Sequence, residues 1–265
     1  MKWVSSDQKI LAIETSGKTL SVALAESVEG KFKIKSELFF DVGLRHSEML
    51  KPVCEEMLSQ CGCALQQLSA IAVCTGPGSF TGIRVGVSFA RALAQSLKIP
   101  LVGVAVFDIL ARGASGQKNP VAVVIESIGQ DVFSAIYDGG CQVKVSSLQQ
   151  FLDELNPKKS WTILGSGSVK YEKEIAHHLK KNFCAQPEQV QVPSARFLSQ
   201  IAFEKIVRSG ANAFSWKKVT PFYLRHPIAS ERAGYRNHNW GQGQGQGQRQ
   251  SQRHPPDSPL NKGGF

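Results

Sequence analysis

Residues 74–86, CTGPGSFTGIRVG, place a glycine-rich turn between a short apolar run and a longer amphipathic one. The residues of this turn motif are Gly76, Pro77, Gly78, Ser79, Phe80, Thr81, Gly82 and Arg84. Glycine tolerates positive φ and close backbone approach, so the segment predicts a strand that turns directly into a helix. Backbone N–H groups at such a helix start can also hold a phosphate. The P-loop pattern is not met, since Arg84 is not its lysine, and both the architectural and the phosphate-binding interpretation stay open.

The first half of the chain has the pattern of a mixed sheet. Runs 10–16 and 19–25 are apolar and are separated by Gly17 and Lys18, which predicts a hairpin, and residues 32–40 alternate as a third strand. Periodicity then predicts, in order, a helix over 46–61, a strand over 70–75, a helix over 80–97 and a strand over 101–104. The order βββαβαβ is that of a ribonuclease H-like domain.

The second half reads as a smaller copy of the first. Its predicted elements are strands over 121–128, 132–137 and 141–147, a helix over 148–155, a strand over 161–167, and helices around 170–181 and 194–208. We therefore expect an α/β protein with two tandem ribonuclease H-like domains, the architecture of the actin-like ATPase and sugar kinase superfamily. The domains are expected over 1–112 and 113–228, with a helix over 194–209 able to pack back on the first domain. Residues 229–265, which include GQGQGQGQRQSQ, lack the apolar content for a core and predict a disordered tail.

Composition narrows the class of protein. With 265 residues, 42% of them hydrophobic, the chain can bury a substantial core. No apolar run reaches the roughly 18–20 residues of a membrane span, and the N-terminus lacks a secretory h-region, so a cytoplasmic protein without membrane attachment is expected. The six cysteines are scattered over apolar segments, which favours buried reduced thiols over a disulfide framework or a zinc site.

The net charge is +10, and residues 229–265 hold five basic against two acidic residues. The tail thus supplies +3, and the body keeps about +7, which suits a polyanionic partner or a solvated basic surface.

Five segments together carry a family resemblance. They are ILAIETS at 10–16, RHSEML at 45–50, GPGSFTGIRVG at 76–86, IPLVGVAVFDILA at 99–111 and PFYLR at 221–225. Over residues 10–228 the chain resembles the TsaB (YeaZ) family, the non-catalytic partner in bacterial synthesis of threonylcarbamoyladenosine, a tRNA modification beside the anticodon. Two departures are Glu14, where the family usually has Asp, and residues 125–137, where its Arg-containing strand turn is replaced.

The resemblance implies a scaffold subunit that binds and activates TsaD, the catalytic relative, and has no catalytic residue, cofactor or metal of its own. The implied partners are TsaD in a heterodimer, the ATPase TsaE in the larger complex, tRNA indirectly, and a second copy when the chain is alone. TsaD carries a His-x-Glu-x-His metal motif, and the matching positions here are Val106, Asp108 and Leu110. Because Val and Leu offer no electron pair, Asp108 alone could not hold a transition metal.

By the same resemblance, the helices over 46–61 and 81–97 are expected to pack against the equivalent pair of TsaD as a four-helix bundle. The predicted contact residues are Met49, Leu50, Val53, Met57, Ile83, Val87, Ala90, Arg91 and Ala94. The same stripe could face the chain's own sheet, and both interpretations stay open. If it faces TsaD, a charge at Leu50 or Val53 abolishes the heterodimer and leaves the monomer folded.

The alternative function is a small stand-alone ATPase or kinase. It would use Glu14, Thr15 and Ser16, which otherwise mark a vestigial cleft, with the glycine turns at 76–82 and 165–167 as phosphate loops. His46 precedes Ser47 and Glu48, which favours a helix start with Ser47 as N-cap over a catalytic base, since no third orienting group is evident.

Overall fold

The computed structural model describes residues 7–114, 116, 118–127, 129, 131–224 and 252–253. The predicted tail over 229–265, apart from Gln252 and Arg253, lies outside the described residues, as does Arg225 of the PFYLR segment. In the part of the chain that is described, no helix combines the length and the apolar character that crossing a membrane requires.

The first sheet has the order β3-β2-β1-β4-β5. Its strands are β1 (Gln8–Glu14), β2 (Thr19–Val28), β3 (Lys31–Asp41), β4 (Ala70–Gly76) and β5 (Leu101–Ala105). β1, β2 and β3 form an antiparallel meander, and β4 runs parallel to β1 and to β5. The predicted order of strands and helices in this half is therefore confirmed.

Helices cover both faces of this sheet. They are α1 (His46–Gln60) and α2 (Phe80–Leu97) on one face, and α3 (Val106–Gly113) and α7 (Ala195–Ser209) on the other. Side chains alternate along β1, so Leu11 and Ile13 join the core beneath α1 and α2, while Ile10 and Ala12 join the core beneath α3 and α7. α3 was not predicted from the sequence, because it continues an apolar run and its N-cap, Ala105, makes no side-chain capping bond.

The second sheet repeats the pattern on a smaller scale, in the order β10-β9-β6-β7-β8 with the two-residue β11 beside β8. Its elements are β6 (Val121–Glu126), β7 (Asp131–Tyr137), β8 (Cys141–Ser147), α4 (Leu148–Glu154), β9 (Trp161–Leu164), α5 (Ser166–Lys170), α6 (Glu172–Leu179), β10 (Phe183–Cys184) and β11 (Gln252–Arg253). Short 3₁₀ helices lie at Leu65–Gln67, Lys180–Asn182, Glu188–Val190, Ala211–Ala213 and Trp216–Lys218. The strand expected over 161–167 ends at Leu164, because Gly165 turns the chain with φ of +97° into α5.

Two βββαβ units in tandem, the second smaller, define a pair of ribonuclease H-like domains of the actin-like ATPase superfamily. One hydrophobic cluster runs through both, joining α3 and α7 to the second sheet. The domain limits at 112 and 228 stay predictions.

The helix α7 follows the second domain in sequence but packs on β1 and β2 of the first sheet. Its start is fixed by Glu37 of β3, whose Oε1 accepts hydrogen bonds from the Ser194 hydroxyl at 2.6 Å and from the Arg196 N–H at 3.3 Å. Ser194 is the N-cap, but its side chain makes no capping hydrogen bond to the helix. A carboxylate at a helix N-terminus is favourable, so Glu37 replaces the missing cap.

Candidate functional site

The glycine turn lies against the connection between β1 and β2. Gly76 and Gly78 have φ of +99° and +152°, and the Gly76–Pro77 peptide is cis. A Cβ on Gly78 would stand 2.2 Å from the carbonyl oxygen of Ser16. The Ser79 N–H donates to that same oxygen at 2.7 Å. Backbone contact with Ser16 is thus sufficient reason for a glycine at position 78.

The start of α2 is held by the neighbouring Thr15. The Ser79 Oγ accepts from the Gly82 N–H at 3.2 Å as the N-cap, and the Thr15 hydroxyl donates to the Gly82 carbonyl at 2.8 Å. A Cβ on Gly82 would lie 2.1 Å from the Thr15 carbonyl oxygen, and one on Gly86 would lie 2.2 Å from the Thr15 Oγ1. These contacts support the architectural interpretation of the turn.

Glu14 ends β1 as a fully buried carboxyl group. Its Oε1 accepts from the Ser16 N–H at 2.8 Å and from the Ser16 hydroxyl, and its Oε2 is buried with no hydrogen-bond partner among the described residues. Burial raises the pKa of Glu14 from 4.5 to about 7, against the lowering effect of the bonds from Ser16. Burial and the charge of Glu14 raise the pKa of the adjacent Cys74 thiol well above 9.0.

This raised pKa of Glu14 predicts a pH dependence of stability. The pKa of Glu14 is near 7 in the folded protein and 4.5 in the unfolded chain, so the folded state favours the protonated carboxyl group. Glu14 therefore stabilises the fold fully below pH 4.5, and this stabilisation is lost as the pH rises to about 7. The wild type should therefore lose about 3 kcal/mol of unfolding free energy across that window relative to Glu14→Gln, whose amide does not titrate. Urea unfolding of both proteins between pH 4 and 8 measures the difference, and parallel stability curves would contradict it.

A cleft of about 500 Å³ opens between the two domains. Its apolar wall consists of Leu44, Pro77, Val106, Leu110, Ile125, Val169, Val192 and Pro193. Of the three residues predicted to form a vestigial cleft, Ser16 lines this cavity. Glu14 and Thr15 do not line it: Glu14 accepts a hydrogen bond from the Ser16 N–H, and Thr15 donates one to the Gly82 carbonyl. At the second domain's side, Glu126 pairs with Lys170 at 3.1 Å.

The second glycine turn, at 165–167, is also engaged within the chain. The Gly165 N–H donates to the Gln191 side-chain oxygen at 3.0 Å, and a Cβ on Gly165 would lie 2.5 Å from the Val124 carbonyl oxygen. Contacts within the chain therefore account for both turns without a phosphate.

Asp108 lies on α3 with its side chain buried. Its Oδ1 accepts from the Tyr137 hydroxyl of β7 at 2.9 Å, which joins the first domain to the second sheet. Burial, and after it the charge of Asp108, raises the pKa of the Cys141 thiol to about 12. Val106 and Leu110, which precede and follow Asp108 in α3, line the cleft. Over the described ranges, no group of three or more His, Cys, Asp or Glu is arranged to hold a metal ion.

All six cysteines fall within the described residues as free thiols, and Cys54, Cys63, Cys74 and Cys141 are buried. The expectation of buried thiols is wrong for Cys61 and Cys184, which are half-buried.

The predicted partner stripe of α1 and α2 is mostly core. The seven residues that are at most 4% exposed are Leu50, Val53, Met57, Ile83, Val87, Ala90 and Ala94. They pack with strands of the first sheet in one cluster, so the chain's own sheet buries the apolar stripe of both helices. Met49 and Arg91 are half-buried and stay candidates.

The outer surface of the two helices is different. Val85, Phe89 and Leu93 are half-buried, and the small residues Ser88 and Ala92 are exposed. This surface, which we call the outer α1–α2 face, is formed by α2 residues outside the stripe predicted as the partner contact.

His46 is the first residue of α1 and is buried. Its Nε2 lies 3.1 Å from the Thr19 carbonyl oxygen, which ties the helix to β2 and gives the ring a structural partner. The N-cap is Arg45 rather than Ser47, which is exposed in the first turn, so that capping prediction is wrong. The loop geometry at Arg45, and not a hydroxyl cap, starts the helix.

The fold and the cleft define an actin-like ATPase superfamily protein whose glycine turns are closed by its own chain. A family model described as "TsaD: tRNA N6-adenosine threonylcarbamoyltransferase" matches residues 41–158. Proteins named tRNA threonylcarbamoyladenosine biosynthesis protein TsaB are similar along more of the chain. The relative from Bacillus subtilis is 33% identical over 56% of this chain and 61% of its own length, and that from Escherichia coli is 34% identical over 45% and 49%. The relative from Buchnera aphidicola of Schizaphis graminum is 30% identical over 62% of this chain and 81% of its own length.

A solved structure supports the same assignment. It is the crystal structure of a Pseudomonas aeruginosa protein described as uncharacterized and similar to peptidase YeaZ, with a TM-score of 0.67 at 25% identity, covering 82% of this chain and all of the other. The chain belongs to the TsaB (YeaZ) family. Its matches span about half to three-fifths of the Escherichia coli and Bacillus subtilis relatives.

Proposed function

We propose that this chain is a non-catalytic subunit of bacterial tRNA threonylcarbamoyladenosine synthesis, which binds and activates a TsaD-type transferase. Its relatives carry the biosynthesis name, and the TsaD family model matches the region that holds α1, α2 and α3. The transferase moves the threonylcarbamoyl group from its adenylate to the adenosine beside the anticodon, and this subunit holds it in a competent conformation. TsaE joins the larger complex in the cytoplasm.

The observation that carries this proposal is the state of Asp108. It stands where the resemblance to TsaD places a metal ligand, yet its carboxylate is buried and bonded to Tyr137, and its neighbours Val106 and Leu110 are apolar. Among the described residues, Asp108 does not belong to any group of three or more His, Cys, Asp or Glu, and one carboxylate does not supply the ligand set that a transition metal needs. This supports assigning the transfer chemistry to the partner.

The outer α1–α2 face suits the docking of two further helices. Ser88 and Ala92 are small and exposed, which permits close approach, and half-buried Val85 and Phe89 offer apolar contact beside them. Because apolar surface rarely stays bare, the same face would form a homodimer in the absence of the partner.

A matched pair of variants tests the face. Ser88→Glu/Ala92→Glu puts two charges on exposed positions of α2, and Lys173→Glu makes the same change in net charge on an exposed position of α6. The first should abolish the heterodimer in size-exclusion chromatography and lower transfer to tRNA by the reconstituted complex at least tenfold. The second should behave as wild type, because α6 lies in the second domain.

Two outcomes would contradict the proposal. Transfer to tRNA, or robust ATP hydrolysis, by the isolated chain would favour the alternative of a stand-alone ATPase or kinase. An intact, active heterodimer with the doubly charged α2 would mean that the partner binds elsewhere.

A further inference from the structure

Two segments far apart in sequence meet at the start of α2. The Phe222 N–H donates to the Thr75 carbonyl at 2.8 Å, which lays residues 221–224 beside the end of β4. The rings of Phe80 and Tyr223 then lie 5.2 Å apart between centroids, and the Arg84 guanidinium carbon stands 5.1 Å from the Phe80 centroid. Phe80 is 40% exposed and Tyr223 is 42% exposed, so both residues are accessible to solvent.

Two lysines lie on the segment that leads to Tyr223. The 3₁₀ helix Trp216–Lys218 packs against α2, with half-buried Trp216 against the core cluster and Lys217 and Lys218 exposed. We use the name aromatic–basic patch for the exposed residues of these two segments, Phe80, Arg84, Tyr223, Lys217 and Lys218.

The two segments that meet at the start of α2 carry basic residues and no acidic ones. Residues 57–107 contain no Asp or Glu, and residues 205–230 contain none either. Basic residues occur in both: Arg84, Arg91, Lys98, Lys205, Arg208, Lys217, Lys218 and Arg225. The ion pairs formed among the described residues do not involve Arg84, Lys217 or Lys218. The patch therefore combines positive charge that no ion pair among the described residues neutralises with two exposed aromatic residues.

We propose that the aromatic–basic patch binds an unpaired segment of the tRNA directly, an inference that rests on the proposed function. Unpaired bases stack on aromatic rings and on guanidinium planes, and lysines neutralise the phosphates between them. A protein partner can also use Tyr and Arg, but two acid-free segments favour a polyanion. The family resemblance implies only an indirect role for tRNA as a partner of this chain. The patch would give the chain a direct contact with the tRNA substrate.

The electrostatic part is tested with the reconstituted heterodimer and an unmodified tRNA transcript, by fluorescence anisotropy over a range of salt concentrations. Lys217→Gln/Lys218→Gln is compared with Lys173→Glu, which changes the net charge equally at a distant site. The double variant should weaken binding several-fold at 0.1 M salt. It should also reduce the slope of log K against log salt by roughly 1.4, since each phosphate contact of a single strand contributes about 0.7. Lys173→Glu should keep the wild-type slope.

The stacking part has its own control. Tyr223→Ala should weaken tRNA binding roughly fivefold to a hundredfold with the salt slope unchanged, whereas Tyr223→Phe keeps the ring and should bind as wild type. Thermal unfolding of each variant establishes that the subunit is folded.

The outcomes separate the two proposals. If wild type stimulates transfer but the patch variants bind tRNA like Lys173→Glu, the patch inference is overturned and the subunit role stands. If the patch variants lose the heterodimer while the affinity of the remaining complex for tRNA is unchanged, the patch is a protein interface and the inference is again overturned. If wild type does not stimulate transfer, the proposed function itself fails.

Discussion

Leu50→Asp is expected to unfold the first domain rather than to detach a partner from it. Leu50 is 2% exposed and packs with Val53 and Met57 against the sheet. Aspartate there would lose the apolar burial and leave a carboxylate without a partner in a hydrophobic cluster. The combined cost is about 3–5 kcal/mol, a large part of the roughly 5–15 kcal/mol that stabilises a typical domain.

Urea unfolding followed by circular dichroism measures this loss. Ser59→Asp, at an exposed position of the same helix, is the control and should change stability by about 0.5 kcal/mol or less. A folded Leu50→Asp monomer with the wild-type midpoint would show that the side chain faces outward. Loss of a complex by such a variant would report unfolding and would not locate the interface.

Gly82→Ala is expected to destabilise the protein by about 2–4 kcal/mol, because the added Cβ would lie 2.1 Å from the Thr15 carbonyl oxygen. The sign of the effect is diagnostic. In an unobstructed helix, alanine is favoured over glycine by about 1 kcal/mol, so a substitution free of the contact would stabilise. The obstructing atom belongs to the backbone, and α2 has to shift to relieve the clash.

The matched control is Gly140→Ala, whose Cβ would meet no heavy atom within 4 Å, and it should be nearly neutral in the same denaturant assay. A gain of stability in Gly82→Ala would show that the turn does not press on Thr15. In that case the phosphate-binding interpretation of the turn would regain its basis.

Local pattern was sufficient for most elements of the fold. The hairpin signal at Gly17 and Lys18 and the alternation over 32–40 correctly predicted the opening meander, and periodicity correctly predicted α1 and α2. The helix α3 was missed because its apolar residues continue directly from β5, without a capping side chain or a polar break between them. The structure has two helices, α5 and α6, on either side of Tyr171, where one helix was expected around 170–181. The sequence did not indicate this break, because the residues before and after Tyr171 are equally polar.

The candidate site was less accessible from sequence. A stripe at helical spacing identifies one buried face but not what buries it, and the chain's own sheet took the stripe that had been assigned to a partner. Asp108 was correctly judged unable to hold a transition metal alone, but its hydrogen bond to Tyr137 could not be foreseen.

The sequence by itself determined the family, the order of the elements and the need for glycine at a strand-to-helix turn, because these follow from local spacing and from residue types that few conformations accept. Only the tertiary structure decided that Thr15 and Ser16 close the turn, that Asp108 bonds to the second sheet, and that Tyr223 lies on Phe80. Those contacts join residues distant along the chain, and they exist only after the sheets and helices have packed.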